Sequence, residues 1–270
     1  MRAFSPKEQT MPLLDLDQHR LHYRLDGTDA AKPWLIFCNS LGTDLHMWDG
    51  QIEALADDFR ILRYDRRGHG LSSAPPSPFT LSELADDVIA LMDHLAIEKA
   101  DFCGLSIGGL VGQWLAIHAS NRFDKFVFCA TAARIGNRES WQERIDAVAR
   151  DGLAKLRTGT MERWFSPELR STAPEIALRF MTTFEQTSAS GYLGCCAALR
   201  DADLRSELHR IHHPVLAVAG QDDAVCVESD LELIAQSVLR GRRRTLPGRH
   251  IVNLQAAGWF NTLLADFLAS

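Results

Sequence analysis

Short apolar runs of strand length alternate along this chain with segments of helical periodicity, and no other feature constrains its fold as strongly. The strand-like runs are His19–Leu25, Trp34–Cys38, Ile61–Tyr64, Asp101–Gly104, Phe126–Thr131 and Val215–Ala219. Helical patterns lie between them at Leu81–Leu95, Ile107–His118 and Asp230–Leu239. Strands that alternate with helices predict an α/β fold, with a mostly parallel central sheet and helices on both faces.

The alternation stops after Thr131, where a long helical stretch begins. From about Arg134 to Ala198 the pattern is helical throughout and contains no convincing strand. Because this stretch follows the carboxyl end of a central strand, it would lie over the sheet edge where α/β proteins bind ligands. The alternative is that these helices are further elements of the core. We predict a core of residues 1–133 and 198–270 and a helical cap over residues 134–197.

The charge balance argues against nucleic acid as a partner. The 270 residues carry 29 Lys and Arg against 35 Asp and Glu, a net charge of −6, which is the wrong sign for neutralising phosphates over an extended face. An anionic ligand would therefore need local cations in a pocket, because the overall field would not attract it.

Neither a membrane span nor a secretory signal is recognisable. The apolar runs fall far short of the roughly 20 residues that a span needs, and Met1–Thr10 contains no apolar stretch of the kind that signals carry. We expect no membrane association and a cytoplasmic location, and we leave open whether translation starts at Met1 or Met11.

The cysteines show no spacing typical of a metal site or a redox pair. They contain no C-x-x-C pair, and three of them lie inside apolar strand-like runs, so we predict buried reduced thiols. The six are Cys38, Cys103, Cys129, Cys195, Cys196 and Cys226. Neither a dinucleotide fingerprint nor a Walker motif is present, so no cofactor and no metal are expected.

One Gly-x-Ser-x-Gly sequence, Gly104–Gly108, joins a strand-like run to a helical pattern. A serine in a tight strand-to-helix turn projects its hydroxyl into the cleft, and small flanking residues keep the neighbouring backbone clear of it. The helix that begins at Ile107 directs unpaired N–H groups toward charge that develops beside Ser106. The pattern predicts Ser106 as a nucleophile; the alternative is a structural glycine-rich turn.

A serine nucleophile needs a base, and the base needs an orienting carboxylate. An acidic pair, Asp222 and Asp223, follows the strand-like run at Val215, and His250 follows a shorter run at Arg243–Leu246. The order serine, aspartate, histidine is the one found in α/β-hydrolases. We predict His250 as the base and Asp223, rather than Asp222, as its partner. The competing histidines are His46, His69 and His118.

Acyl transfer also requires hydrogen-bond donors where the oxyanion forms. One donor is predicted to be the N–H of Ile107, which follows the nucleophile. The other is predicted to be the N–H of Leu41, in the turn Asn39–Gly42 that follows a buried strand. The alternative for Asn39–Gly42 is a plain turn.

These motifs together resemble the α/β-hydrolase superfamily over essentially the whole chain. Three segments resemble, more narrowly, the 3-oxoadipate enol-lactonases of bacterial aromatic catabolism: Asn39–Trp48, Cys103–Gly109 and Thr131–Gly136. The first segment is the informative one, since most members of the superfamily have His-Gly where this chain has Asn39-Ser40.

The resemblance implies a serine hydrolase that opens a small anionic lactone without a cofactor. The substrate of that family carries an acetate arm, and an unpaired carboxylate in a dry pocket is costly, so a cation should meet it. Arg134 is our first choice and Arg138 the second. The resemblance further implies that Trp141 walls the pocket and that Ser40 contacts the substrate; by spacing alone, Trp141 is more typical of cap–core packing.

Two other functions stay open at this point. The same residues would serve a broader carboxylesterase or a C–C hydrolase of ring-cleavage products. A hydrolase-fold ligand receptor, in which slow hydrolysis serves binding, is the alternative outside enzymes, and the turnover rate separates it from them.

Overall fold

An eight-stranded sheet forms the centre of the computed structural model, which describes residues 12–270. Met1 and Met11, the two alternative translation starts, lie outside the described residues. The strand order is β1-β2-β4-β3-β5-β6-β7-β8, and every pair from β4 onward is parallel. The predicted mostly parallel sheet is thus confirmed. The strands are β1 (Leu13–Asp15), β2 (Arg20–Asp26), β3 (Trp34–Cys38), β4 (Arg60–Tyr64), β5 (Ala100–Leu105), β6 (Phe123–Cys129), β7 (Pro214–Gly220) and β8 (Arg240–Leu246).

The differences from the predicted strands have physical reasons. The predicted strand at Phe126–Thr131 ends at Cys129, because Ala130 adopts a left-handed conformation with a φ of 43°. β8 begins at Arg240, three residues before the predicted start. Its exposed and half-buried residues alternate, but most of them are arginines, so no apolar pattern marks the first residues of this strand in the sequence. β1 has only three residues and was not predicted.

Helices cover both faces of the sheet and fill the long connection between β6 and β7. The helices predicted at Leu81–Leu95 and Ile107–His118 are confirmed within one residue at each end. The helix predicted at Asp230–Leu239 begins two residues early, at Glu228. They are α1 (Asp49–Leu55), α2 (Leu81–His94), α3 (Ile107–His118), α4 (Arg138–Asp151), α5 (Arg157–Trp164), α6 (Pro167–Thr172), α7 (Pro174–Gln186), α8 (Ala189–Asp201), α9 (Glu228–Ser237), α10 (Val252–Gln255) and α11 (Ala257–Ala269). Within residues 12–270, no helix is long and apolar enough to cross a membrane.

The connection between β6 and β7, α4 to α8, is helical as predicted, and its last helix runs to Asp201. This helix packs directly onto the core turn that follows β4. A Cβ on Gly68 would collide with the backbone of Gly191 in α8, so the backbones of the turn and of the helix are in direct contact. The Phe79 N–H also donates to the Gly194 carbonyl of α8 at 3.3 Å. The helical connection is therefore held close to the carboxyl edge of the sheet.

We predict that Asp101→Asn stabilises the protein in a pH-dependent way. Asp101 on β5 is 7% exposed, its Oδ1 has no hydrogen-bond partner among residues 12–270, and burial raises its pKa to about 6. Because the folded state holds this proton more tightly than the unfolded state, Asp101 lowers stability as the pH rises from about 4 to about 6. The gain from Asn should reach about 2 kcal/mol above pH 7 and vanish below pH 4.

Thermal unfolding of the wild type and of Asp101→Asn at several pH values measures this difference. Asp57→Asn, at an exposed position, is the control and should leave the unfolding temperature unchanged. A gain that did not depend on pH would contradict the prediction.

Candidate active site

The turn between β5 and α3 holds Ser106 in a conformation that side chains rarely adopt, with a φ of 59° and a ψ of −121°. The flanking glycines make this turn possible. A Cβ on Gly104 would collide with the Gly108 carbonyl, and a Cβ on Gly108 would collide with the carbonyl of Cys38 at the end of β3. The first turn of α3 therefore packs on the end of β3 at backbone distance.

Three hydrogen bonds fix the backbone of Ser106. Its N–H donates to the Cys129 carbonyl at 2.9 Å, and its carbonyl accepts from the Leu110 N–H at 3.1 Å. The hydroxyl of Thr131 donates to the same carbonyl at 2.7 Å, and Thr131 is fully buried. No role of this kind is predicted for Thr131 from the sequence, although its hydroxyl directly after an apolar strand is a signal for one.

Asp223 and His250 come together at the carboxyl ends of β7 and β8. The His250 Nδ1 lies 2.9 Å from Asp223 Oδ2, and both side chains are almost completely buried. The other carboxylate oxygen accepts from the N–H groups of Val225 at 2.8 Å and Cys226 at 3.3 Å. With the Nδ1 proton donated to Asp223, Nε2 is the nitrogen free to act on a hydroxyl. Asp222 is exposed, and the carboxylate that contacts His250 is that of Asp223.

The competing histidines lie elsewhere. His46 is half exposed beside Asp49, and His118 lies 3.9 Å from Glu207. His69 is buried, and burial together with the positive charge of Arg66 lowers its pKa to about 3.

Ser106 and His250 line one cavity of about 220 Å³ between the core turns and the helical connection. Its core side is formed by Ser40, Leu41, Ser106, Ala224, Val225 and His250, and its helical side by Ile135, Gly136, Ser140, Trp141, Arg144, Thr160, Arg163, Trp164, Phe184 and Tyr192. Leu41 is among these residues, and the role of its N–H as an oxyanion donor stays a prediction. Ile107 is the first residue of α3, where helix N–H groups have no intrahelical partner.

The three predicted substrate contacts fare differently. Ser40 and Trp141 line the cavity, and the Trp141 indole N–H donates to the Ile135 carbonyl at 2.6 Å, which fixes the ring. The structure corrects the prediction for Arg134. This residue does not line the cavity, and its guanidinium lies 3.7 Å from Asp203. Arg138, the second choice, is exposed and pairs with Asp201 at 2.6 Å.

Two other arginines face the cavity instead, and sequence reasoning missed both. Arg144 donates to the Tyr192 hydroxyl at 3.3 Å and Arg163 to the Thr160 hydroxyl at 3.2 Å. Burial, and the positive charge of Arg144, lower the pKa of Arg163. In the described part of the chain, no carboxylate forms an ion pair with either arginine. The available signal was the spacing in α4, where residues three apart such as Trp141 and Arg144 share a helix face.

No group of three or more His, Cys, Asp or Glu side chains between residues 12 and 270 is arranged to hold a metal ion. All six cysteines are free and buried. The polar groups of the cavity are instead those of hydrolytic chemistry at a carbonyl: a hydroxyl, an imidazole paired with a carboxylate, and cations.

Comparison with known proteins identifies the class of protein that this fold and site define. The α/β-hydrolase fold family matches residues 33–257, and the chain belongs to that family.

Two relatives that are highly similar to this chain are named 3-oxoadipate enol-lactonases. The chain is 43% identical to 3-oxoadipate enol-lactonase 2 of Acinetobacter baylyi, over 89% of this chain and 90% of that protein. It is 36% identical to 3-oxoadipate enol-lactonase 1 of the same organism, over 93% of each. Among solved structures, the enol-lactonase from Burkholderia xenovorans LB400 superposes with a TM-score of 0.94 at 39% identity, over 96% of this chain and all of that one. The chain is thus a carboxylic ester hydrolase that resembles the enol-lactonases.

We predict that Gly108→Ala abolishes hydrolysis and destabilises the fold by several kcal/mol. The new Cβ would push the first turn of α3 away from Cys38 and displace both Ser106 and the Ile107 N–H. Ester hydrolysis and thermal unfolding measure the two effects.

The control is Gly258→Ala in α11, where a Cβ meets nothing within 4 Å. It should be neutral or stabilise by roughly 0.5–1 kcal/mol, since alanine favours a helix. Full activity in Gly108→Ala would contradict the packing argument.

Proposed function

We propose that this protein opens 3-oxoadipate enol-lactone to 3-oxoadipate, with Ser106 as nucleophile, His250 as base and Asp223 as the carboxylate that orients His250. The observation that supports this proposal best is one cavity with a serine and a histidine on its core side and two arginines on its helical side, neither of which has a carboxylate partner among residues 12–270. The relatives with enol-lactonase names add independent support.

The first half-reaction is attack on the lactone. The Ser106 hydroxyl attacks the ring carbonyl while Nε2 of His250 accepts its proton, and the N–H groups of Leu41 and Ile107 stabilise the oxyanion. When the tetrahedral intermediate collapses, the ring C–O bond breaks and the enol oxygen leaves, protonated by His250. The leaving group remains attached to the acyl chain, because the ester was internal.

The second half-reaction releases the product. His250 removes a proton from a water molecule, which attacks the acyl-enzyme, and Ser106 recovers its proton as the ester bond breaks. The enol tautomerises to the ketone, which yields 3-oxoadipate. The groups that act in these steps are the side chains of Ser106, His250 and Asp223, the backbone N–H groups of Leu41 and Ile107, and water.

The acetate arm explains why the cavity carries positive charge in a protein whose net charge is −6. Arg144 and Arg163 would both bind the carboxylate, whose negative charge offsets the repulsion between the two guanidinium groups. The hydroxyl groups of Tyr192 and Thr160 accept hydrogen bonds from these arginines and hold them in position. Trp141 lies beneath Arg144, with the guanidinium carbon 5.2 Å from the ring centroid.

The division into a core and a cap over residues 134–197 belongs to this proposal. The helical side of the cavity comes from that segment, so substrate would lie between cap and core. The cytoplasmic location, and the absence of a nucleic-acid partner, stay predictions.

The first experiment follows the loss of ultraviolet absorbance of freshly generated 3-oxoadipate enol-lactone, with p-nitrophenyl acetate as a neutral ester. Wild type should turn over the lactone many times per second and Ser106→Ala should not. Turnover of the ester alone would favour the broader esterase, and reaction with about one equivalent would favour a ligand receptor.

We predict that Arg144→Gln and Arg163→Gln each raise the KM for the lactone by roughly 10- to 100-fold, the effect of losing a hydrogen bond to a charged group. The KM for p-nitrophenyl acetate, which has no carboxylate, should change little. Arg134→Gln is the matched control and should leave both constants unchanged, because Arg134 lies outside the cavity. Equal effects of the three substitutions would refute the assignment of the anion site.

We predict that Asp223→Asn lowers kcat on both substrates by on the order of 10⁴-fold, because the imidazole loses its orientation and tautomer. Asp222→Asn changes the neighbouring carboxylate, which is exposed, and should retain wild-type kcat. The reverse result would transfer the role to Asp222.

A further inference from the structure

Arg66 is buried in an unusual way for an arginine. It is 1% exposed, and within the described residues no carboxylate forms an ion pair with it. The other buried arginines of this region do have such partners: Arg63 pairs with Asp26 and Asp49, and Arg67 with Asp87. Burying an unpaired charge is costly, so the contacts that Arg66 does make require an explanation.

Those contacts all lie at the end of β3 and in the turn that follows it. The Nη2 of Arg66 donates to the Asn39 carbonyl at 2.6 Å and approaches the Cys38 sulfur at 3.4 Å. Its Nη1 donates to the Ser40 carbonyl at 3.3 Å, which also accepts from the Thr43 hydroxyl at 2.9 Å. A full positive charge is therefore applied to two successive peptide carbonyls.

The second of these peptides also contains the N–H of Leu41. The C=O and N–H of a trans peptide point in opposite directions. Because Arg66 and Thr43 fix the Ser40 carbonyl on the interior side, the Leu41 N–H must point to the other side of the turn. Ser40 and Leu41 line the cavity that contains Ser106.

A hydrogen bond to a carbonyl also polarises its peptide and strengthens the N–H as a donor. Arg66 would thus act on the oxyanion twice, through the direction of the Leu41 N–H and through its polarity. Asn39 is held independently, since its side chain donates to the Tyr64 carbonyl at 2.8 Å and accepts from the Trp48 indole at 2.9 Å. The fold of the turn is therefore held by contacts other than Arg66. The two hydrogen bonds from Arg66 to the Asn39 and Ser40 carbonyls can then serve to orient the peptide groups.

We propose that Arg66 is a positioning residue for the oxyanion hole: it fixes and polarises the Ser40–Leu41 peptide so that the Leu41 N–H stabilises the tetrahedral intermediate. This inference rests on the proposed serine mechanism, but not on the identity of the lactone. It applies to every acyl substrate, since each one forms an oxyanion at the same place.

The test compares Arg66→Met and Arg66→Lys with Arg67→Lys, which alters the adjacent buried arginine that binds Asp87. The readouts are kcat and KM for p-nitrophenyl acetate, and the inhibition constant of 1,1,1-trifluoro-2-butanone, whose serine adduct carries an oxyanion. Both Arg66 variants should lower kcat by roughly 10- to 100-fold, less than the 10²–10³ for removing a donor outright. KM should stay within about twofold, since the effect is specific to the transition state.

The inhibition constant of the ketone should rise together with the fall in kcat. Arg67→Lys should lower the unfolding temperature and leave kcat and the inhibition constant unchanged. An Arg66 variant that is folded by circular dichroism and keeps wild-type kcat would overturn the proposal. So would a fall in kcat without weaker binding of the ketone. If Arg66→Met does not fold, Arg66→Lys decides alone.

The outcome for the lactone is separate. A wild-type enzyme that hydrolyses the ester but not 3-oxoadipate enol-lactone would refute the proposed function, and the effect of Arg66 on the ester would still be measurable.

Discussion

The site depends on one close contact, the packing of the first turn of α3 against the end of β3. This contact exists because Gly108 has no side chain to keep α3 away from the Cys38 carbonyl, and the absence of a side chain on Gly104 lets the same turn lie against β5. It brings the first turn of α3 beside the turn that contains Leu41, and Ser106, which precedes that helix, has a positive φ. Such a conformation costs about 1–3 kcal/mol, and the hydrogen bonds from Leu110 and Thr131 to the Ser106 carbonyl offset that cost locally.

The electrostatics of the cavity follow from which charges are paired and which are not. Most arginines between residues 12 and 270 have a carboxylate partner, Arg134 and Arg138 included. The exceptions include Arg66, directed at peptide carbonyls, and Arg144 and Arg163, directed at the cavity. In a protein with a net charge of −6, Arg144 and Arg163 supply the local positive charge that the proposed anion site requires.

The sequence predicts most of the fold and the reacting groups because those depend on local patterns. The Gly-x-Ser-x-Gly turn and the strand before it locate Ser106, and the order of the acidic pair and His250 along the chain predicts the pair that the structure joins. The two arginines of the proposed anion site could not be predicted in this way. Arg134 follows a strand end and is close to the site in sequence, whereas Arg163 reaches the cavity from α5, through a packing of helices that no local pattern encodes. The contacts of Arg66 could not be predicted for a similar reason, since its partners are backbone carbonyls, which every residue has.

The backbone contact between Gly68 and Gly191 has a consequence for how such enzymes diverge. Neither glycine can be replaced by a residue with a side chain unless α8 moves away from the core. Both positions should therefore remain glycine in any relative that keeps this arrangement. The turn that contains Gly68 also contains Arg66, so a change there would disturb the chemistry as well as the fit of the helix. New substrate ranges are therefore more accessible through α4 and α5, whose side chains at Trp141, Arg144 and Arg163 line the cavity.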